Sequence, residues 1–344
     1  MRRRLNLILM LIVVAMTAWA GAPAHADGTL ERVKQAGVLR CGVTTSGAGL
    51  AAVDDHGRWQ GFYIDLCRAV AAAVTGSADA IEFVEFSAQK RFAALREGSA
   101  DVLMDGATWT LHRDAVLGVA FPTVYLFDGQ GFMAHRSLGV ARLSDLREGT
   151  VCVIRGTTTE RNLQHWIAAT GRKLAVKTVN STEGALSAFF NHHCDVLSND
   201  RISLFAQRLL NAPHTNDYVI FPEVISKEPL SPTVKAGDAA WYTLVRWVIL
   251  AIVLAEEKGV TAADAMALNH SPDPEVNRLL GLTPGIGAGL DLDDQWAYRV
   301  IARLGNYGEI FERHLGQSSP LGIERGLNDL WNRGGLMYAP PLGG

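Results

Sequence analysis

Asp101-Val102-Leu103-Met104-Asp105-Gly106-Ala107-Thr108-Trp109-Thr110-Leu111-His112-Arg113 runs from a short apolar strand into a polar, glycine-bearing loop and on to an arginine. Its opening triplet returns as Asp195-Val196-Leu197, again followed by polar residues, Ser198-Asn199-Asp200. Working outward from the first triplet, Leu39–Val43 reads as a strand, Ile64–Val74 as a helix, Ile81–Phe86 as a strand, Ala88–Glu97 as a helix and Asp101–Met104 as a strand. Around the second triplet the order repeats: strand Val151–Ile154, helix Thr159–Ala169, strand Leu174–Val179, helix Glu183–Phe190 and strand Asp195–Ser198. The strand before each triplet begins 20 residues earlier in one half (Ile81) and 21 in the other (Leu174). Short apolar strands alternating with helical patterns build βαβ units on parallel strands, so the chain predicts two similar α/β lobes.

Ligands of open α/β sheets bind beyond the carboxyl ends of the strands, and three polar groups fall there. The loop after Met104 leads to Arg113. Arg155-Gly156-Thr157-Thr158-Thr159-Glu160 follows the strand ending at Ile154, and Thr157 and Glu160 have the spacing of a capping box. The free N–H groups of such a helix start, aided by the helix dipole, suit an anion. Asn199-Asp200 closes the last strand. An arginine grips a carboxylate with a planar fork and an aspartate pairs with an ammonium, so together they suit an α-amino acid. Each residue also has a plainer reading: Arg113 as a surface charge, Thr157–Thr159 as a cap and Asp200 as a cap on the next helix. Their joint placement at strand ends favours the binding role.

Residues Met1–Ala26 carry Arg2-Arg3-Arg4, an apolar run from Leu5 to about Ala20 and Ala24-His25-Ala26, the order of a secretory signal peptide. The run is short of the ~20 residues that span a bilayer. No later segment reads as a span, because the run Trp241–Val253 contains Arg246 and precedes Glu256-Glu257-Lys258, as in a soluble amphipathic helix. Without the leader, 29 lysines and arginines face 35 acidic residues over positions 27–344. A mildly acidic exported chain with no basic stripe excludes nucleic-acid binding as a natural role, and 318 residues suit two domains. Cys41, Cys67, Cys152 and Cys194 form an even set in an exported chain, which favours disulfides. Four cysteines allow three pairings; the layout suggests Cys41 with Cys67 and Cys152 with Cys194. No metal site is expected, since only His192-His193-Cys194 clusters and adjacent side chains diverge.

Gly61-Phe62-Tyr63-Ile64-Asp65-Leu66, Arg91-Phe92-Ala93-Ala94-Leu95, Asp101-Val102-Leu103, Thr108-Trp109-Thr110 with Arg113-Asp114, and Gly156-Thr157-Thr158 resemble the polar amino-acid-binding proteins of ABC uptake systems. The chain is similar to their general L-amino-acid-binding subgroup in all four cysteines, in Ile225-Ser226-Lys227-Glu228-Pro229-Leu230, in Gly305-Asn306-Tyr307-Gly308-Glu309 and in Gly335-Leu336-Met337-Tyr338-Ala339-Pro340-Pro341. That resemblance spans the mature chain and implies an α/β, type II periplasmic-binding-protein fold, two lobes joined by a hinge of two crossings. One lobe is then residues 27–127 with 229–344, including a C-terminal helical extension, and the other is residues 128–228. By the same resemblance Arg113 binds the ligand carboxylate with the backbone N–H groups of Thr108 and Thr158. Asp200 takes the ammonium, assisted by the Gly106 carbonyl and the Thr108 hydroxyl. The expected partners are free L-amino acids and the permease subunits of an ABC transporter. The expected state is a periplasmic monomer without cofactor.

Two departures bear on selectivity. Many relatives place an aromatic ring near Gly47, where this chain reads Thr44-Thr45-Ser46-Gly47-Ala48-Gly49, which implies a roomier pocket. The subgroup's Ser-Arg-Asn-Thr is here Met104-Asp105-Gly106-Ala107, and Asp105 either disfavours acidic ligands by charge repulsion or points into solvent. The rival readings are a ligand-sensing subunit of a membrane receptor and a dehydratase-like enzyme on the same fold. The enzyme needs a titratable group in the cleft, and Glu160 and His112 are the nearest candidates.

Overall fold

The computed structural model describes residues 28–268 and 270–343, so the leader read at 1–26 lies outside the described residues. In the first lobe β1 (Leu39–Val43) is the central strand, flanked in parallel by β2 (Ile81–Glu85) and β3 (Val102–Leu103). A Cβ on Gly42 would lie 2.3 Å from Leu103 Cδ2, so a glycine is what lets the Leu103 side chain pack over β1. Between β1 and β2 the helix Phe62–Thr75 is buried along most of its length and stops at Gly76, whose φ of 82° a side chain would strain. The Cys41–Cys67 disulfide ties that helix to β1.

The chain leaves this lobe through β4 (Leu126–Asp128) and enters a five-stranded sheet made of β5 (Gln130–His135), β6 (Glu148–Ile154), β7 (Lys173–Val179), β8 (Val196–Asp200) and β9 (Tyr218–Ile220). The order is β7-β6-β8-β5-β9, with β7, β6 and β8 parallel and β5 antiparallel to both its neighbours. The chain returns through β10 (Glu228–Leu230), which pairs antiparallel with β4 so that Glu228 faces Asp128 and Leu230 faces Leu126.

The two lobes thus repeat one plan: in each parallel set the first strand is central, the second is on one side, and the Asp-Val-Leu strand is on the other. Each triplet strand is met on its far side by antiparallel chain arriving from a crossing, β5 on β8 in the second lobe and Thr233 on Leu103 in the first. Hydrophobic clusters fill both faces of the second sheet, with Phe132, Val151 and Leu163 in one and Met133, Phe189 and Leu204 in the other. Cys152–Cys194 is the second disulfide, so the suggested pairing is the one the structure holds.

The segment read as an amphipathic helix differs in kind. Ala239–Glu257 is one 19-residue helix, by length and composition long and apolar enough to cross a membrane, yet it is mostly buried. Every residue from Val248 to Ala255 is buried, which no single-faced helix allows; it is the central helix of the first lobe's core. The C-terminal stretch is α-helical at Trp296–Leu304 and Tyr307–His314 and then runs in turns with two short 3-10 helices, Gly326–Asn328 and Trp331–Arg333. Trp296, Tyr307 and Phe311 are buried in the first-lobe core. Further on, Asn328 accepts from the Phe127 N–H at 2.6 Å and donates to the Phe127 carbonyl at 3.0 Å, fastening the outgoing crossing.

Candidate functional site

A small chamber of about 60 Å³ lies between the lobes, where the carboxyl ends of the strands converge. Arg91, Asp105, Gly106 and Thr108 reach it from the first lobe, Thr158 and Asp200 from the second. The lobes touch around it. Gln89 donates through its amide to the Arg155 carbonyl at 2.9 Å and to that of Asn180 at 3.1 Å, and the hydroxyls of Thr108 and Thr158 are 3.2 Å apart.

Gly106 and Thr108 stand in the loop after β3. Gly106 has φ 73°, and a Cβ there would meet the Tyr63 hydroxyl at 3.1 Å, so the backbone turns toward the chamber where only glycine fits easily. Its N–H donates to the Tyr125 hydroxyl at 3.1 Å. Arg113 lies on the helix Leu111–Val116, whose start is capped by the Thr110 hydroxyl. It is 2 % exposed, so the surface-charge reading fails. Its guanidinium donates to the Thr108 carbonyl at 2.8 Å and lies over the Phe92 ring, 5.2 Å from the centroid, and it does not line the chamber, where the first-lobe guanidinium is that of Arg91. Burial, with the charge of Arg91 beside it, pulls Arg113 down to about 9.

On the second lobe Thr157 caps the helix Thr158–Thr170 by accepting from the Glu160 N–H at 3.2 Å. The return half of the expected box is displaced: the Glu160 carboxylate accepts from the Gly156 N–H at 2.7 Å and from the Thr178 hydroxyl at 3.3 Å. Glu160 is therefore occupied in holding the loop, and His112 is exposed on its helix. Asp200 ends β8 directly before the helix Arg201–Asn211 without capping it. The first turn of that helix is served by Asp128, which accepts from the Ile202 N–H at 2.9 Å. Burial raises the Asp200 carboxyl well above its ordinary range, and the charges of Glu228 and Asp128 push the same way.

Sequence reasoning missed three members of the site. Arg91, the arginine at the chamber wall, forms a buried ion pair with Asp105 at 3.1 Å, so Asp105 neither points into solvent nor stands alone. Glu228, 1 % exposed, joins both lobes: Oε2 accepts from the hydroxyls of Thr108 (2.5 Å) and Thr158 (3.3 Å), Oε1 from Ser226 (2.6 Å) and Asn162 (3.0 Å). Gln207 lines the chamber from the helix Arg201–Asn211. The first two were in plain view inside quoted motifs, but only the third dimension reveals which charges they face.

The expectation at Gly47 is corrected in part. A Cβ there would lie 3.0 Å from the backbone and the Cβ of Ala206 on the opposite lobe, at φ 114°. The missing aromatic ring does not leave a void at that point but admits the facing helix. The room lies further out, in a cavity of about 680 Å³ that Gly47 also borders.

Comparison with known proteins agrees with this architecture. Residues 39–259 match the model of the bacterial extracellular solute-binding proteins, family 3. A general L-amino acid-binding periplasmic protein of Rhizobium johnstonii is 41 % identical over 98 % of this chain and 99 % of its own length. A glutamate/glutamine/aspartate/asparagine-binding protein of Rhodobacter capsulatus is 42 % identical over 96 % of this chain and 97 % of its own. A solved periplasmic binding protein of an ABC transporter from Brucella ovis, with glutathione bound, superposes with a TM-score of 0.90 at 42 % identity. That match covers 93 % of this chain and all of the solved one.

Proposed function

The chain belongs to the bacterial extracellular solute-binding proteins, family 3, and from that premise we propose that it captures free L-amino acids in the periplasm, with broad specificity, and delivers them to the permease subunits of an ABC importer. The observation that carries this reading is the small chamber between the lobes, walled by the Arg91 guanidinium, paired with Asp105, from the first lobe and by the Asp200 carboxyl from the second. A zwitterion fits such a chamber and a singly charged solute does not.

In this reading Asp200 receives the ammonium, with the Gly106 carbonyl and the Thr108 hydroxyl beside it. Arg113 holds the carboxylate through its planar fork, helped by backbone N–H groups at Thr108 and Thr158, and Arg91 adds its charge from the chamber wall. Because these groups belong to two lobes, ligand has more contacts in the closed state and shifts the population toward it. The lobes are residues 27–127 with 229–344, and 128–228; the pairing of β4 with β10 supports those limits, because both crossings run through it. Residues 1–26 act as the export signal, and the mature protein works as a monomer. Its role is binding and not catalysis, in keeping with Glu160 being spent on its own helix start.

A thermal-shift screen of the purified protein, stripped of ligand by unfolding and refolding, against the twenty L-amino acids tests the proposal. A ligand at a hundred times its Kd adds about 2.7 kcal/mol. Stabilisation by many amino acids, lost in Arg113→Ala and in Asp200→Ala, is the expected result. Stabilisation by none, in a protein that refolds with its native circular dichroism, overturns it.

A further inference from the structure

The second cavity, about 680 Å³, lies outside the chamber and shares Thr44, Ala88, Ile154, Thr182 and Gln207 with it, so those residues form the throat between them. If the head group of an amino acid fills the chamber, as proposed above, the side chain has this throat as its way out. Among the described residues one cation stands on that way, Arg91 at the chamber wall, whose Nε is buried without a partner, and the other charged groups lining it are acidic. Asp105, 5 % exposed at the chamber wall, gives one oxygen to Arg91, while its Oδ1 is buried without a hydrogen-bond partner. Gln207, 2 % exposed at the throat, likewise has its Oε1 buried and unpartnered. Beyond the throat the cavity is lined by Glu85 from the end of β2 and Glu183 from the first turn of the helix Thr182–Phe190, and among the described residues its lining includes no lysine, arginine or histidine. The Thr45 hydroxyl donates to Glu85 at 2.7 Å and orients it.

Buried acceptors without donors call for a ligand that supplies them. Carboxylates on both walls of a cleft concentrate a negative field there. We infer that the outer cavity is a side-chain subsite for cationic L-amino acids, arginine and lysine above all, with Glu85 and Glu183 receiving the cation from opposite lobes and Gln207 accepting from the side chain as it passes. This deepens the amino-acid reading and rests on it. Arginine and lysine side chains are long enough to carry their charge through a throat, whereas aspartate and glutamate would bring a carboxylate toward acceptors and anions.

Titration calorimetry of the ligand-free protein with arginine, citrulline, glutamine and glutamate separates charge from shape, since citrulline is nearly isosteric with arginine and uncharged. Arginine is expected to bind about tenfold more tightly than citrulline at low salt, with the ratio contracting as salt is added, and glutamate more weakly than glutamine. In Glu85→Gln combined with Glu183→Gln, both at exposed positions, the arginine-to-citrulline ratio falls toward one while the affinity for glutamine stays within about twofold. Equal affinities for arginine and citrulline, or a ratio that survives the double substitution, overturn the subsite and leave amino-acid capture standing. If none of the four ligands binds, the broad-specificity reading falls and the subsite with it.

Discussion

The Thr108 hydroxyl donates to Glu228 Oε2 at 2.5 Å, joining the loop after β3 to the returning crossing strand. Thr158, Ser226 and Asn162 donate to the same carboxylate, so one side chain gathers both lobes and the hinge. Glu228→Ala removes the acceptor shared by four buried or half-buried donors, of which only the Thr108 and Thr158 hydroxyls can turn to each other. It is expected to cost about 3 kcal/mol or more of stability, read as a lowered denaturant midpoint. Glu228→Gln restores one acceptor oxygen but turns an amide donor toward the other pair of donors, so it is expected to recover only part of the loss. A loss below about 0.5 kcal/mol for the alanine variant would show that water replaces the latch.

Two carboxyl groups near Glu228 are held toward their protonated forms, first by burial and then by its charge. Burial, opposed by the N–H groups of Ile202 and Gly129 and reinforced by the Glu228 charge, holds Asp128 up at about 7, and Asp200 is pushed up by burial and by both neighbouring carboxylates. In the unfolded chain an aspartate titrates near 3.9, so in this respect the folded state binds more protons than the unfolded one between those values. The contribution of this pair to stability therefore rises as pH falls from about 8 toward 5. Ligand binding runs the other way, because the ammonium needs Asp200 ionised. Binding at pH 6.5 is expected to release protons, seen by calorimetry in two buffers of different ionisation enthalpy, and Kd to weaken as the medium is acidified. A Kd constant from pH 8 to 5.5 with no proton release would show that ligand binding is not linked to deprotonation of Asp200 in that range.

Much of this was legible in the sequence, for reasons tied to particular residues. The strands flanking Asp101-Val102-Leu103 and Asp195-Val196-Leu197 were readable because parallel strands are short apolar runs separated by helices with caps, such as Thr157 and Ser181. Gln130–His135 escaped because all six of its residues are buried, so it shows no alternation, and because its partners, β8 and β9, lie some 60 and 80 positions away in the chain. The helix Ala239–Glu257 was found but misjudged, since Arg246 suggests a polar face. In the fold Arg246 instead donates to the Pro122 carbonyl at 2.7 Å. Strand-end logic proposes Arg113 and Asp200, and of the two Asp200 lines the chamber while Arg113 is buried behind the loop after β3. Such logic misses Arg91 and Glu228, because a charge on a helix or a crossing strand declares its role only through the opposite charge or the donors that the fold brings to it.

Gly47 supplies a test of closure that does not touch the charged site. With its φ of 114°, a Cβ at this position would be strained and would press at 3.0 Å on Ala206 of the facing helix while the lobes are together, so that helix would have to give way. In the open state the strain of the backbone remains but the contact is gone. Gly47→Ala is therefore expected to penalise the closed state specifically, weakening amino-acid affinity about tenfold or more. Small-angle scattering of the ligand-saturated variant is expected to show incomplete compaction. Unchanged affinity would mean that the facing helix yields at little cost.

The Arg91–Asp105 pair separates stability from binding. Both side chains are almost wholly buried and lie 3.1 Å apart at the chamber wall. A buried pair gains little over an apolar replacement, whereas a buried charge left alone costs about 3–5 kcal/mol. Arg91→Met strands Asp105 and is expected to lower stability by about that much, and Asp105→Asn strands the arginine with a smaller penalty because the amide oxygen still accepts. The double variant is expected to regain most of the stability, giving a positive coupling energy in a double-mutant cycle. Affinity does not follow the same pattern. The double variant keeps Arg113 and Asp200 but loses the positive charge at the chamber wall, so it is expected to fold well and still bind amino acids more weakly than the native protein. If its affinity returns with its stability, Arg91 serves only to neutralise Asp105, and the ligand carboxylate is held by Arg113 without its help.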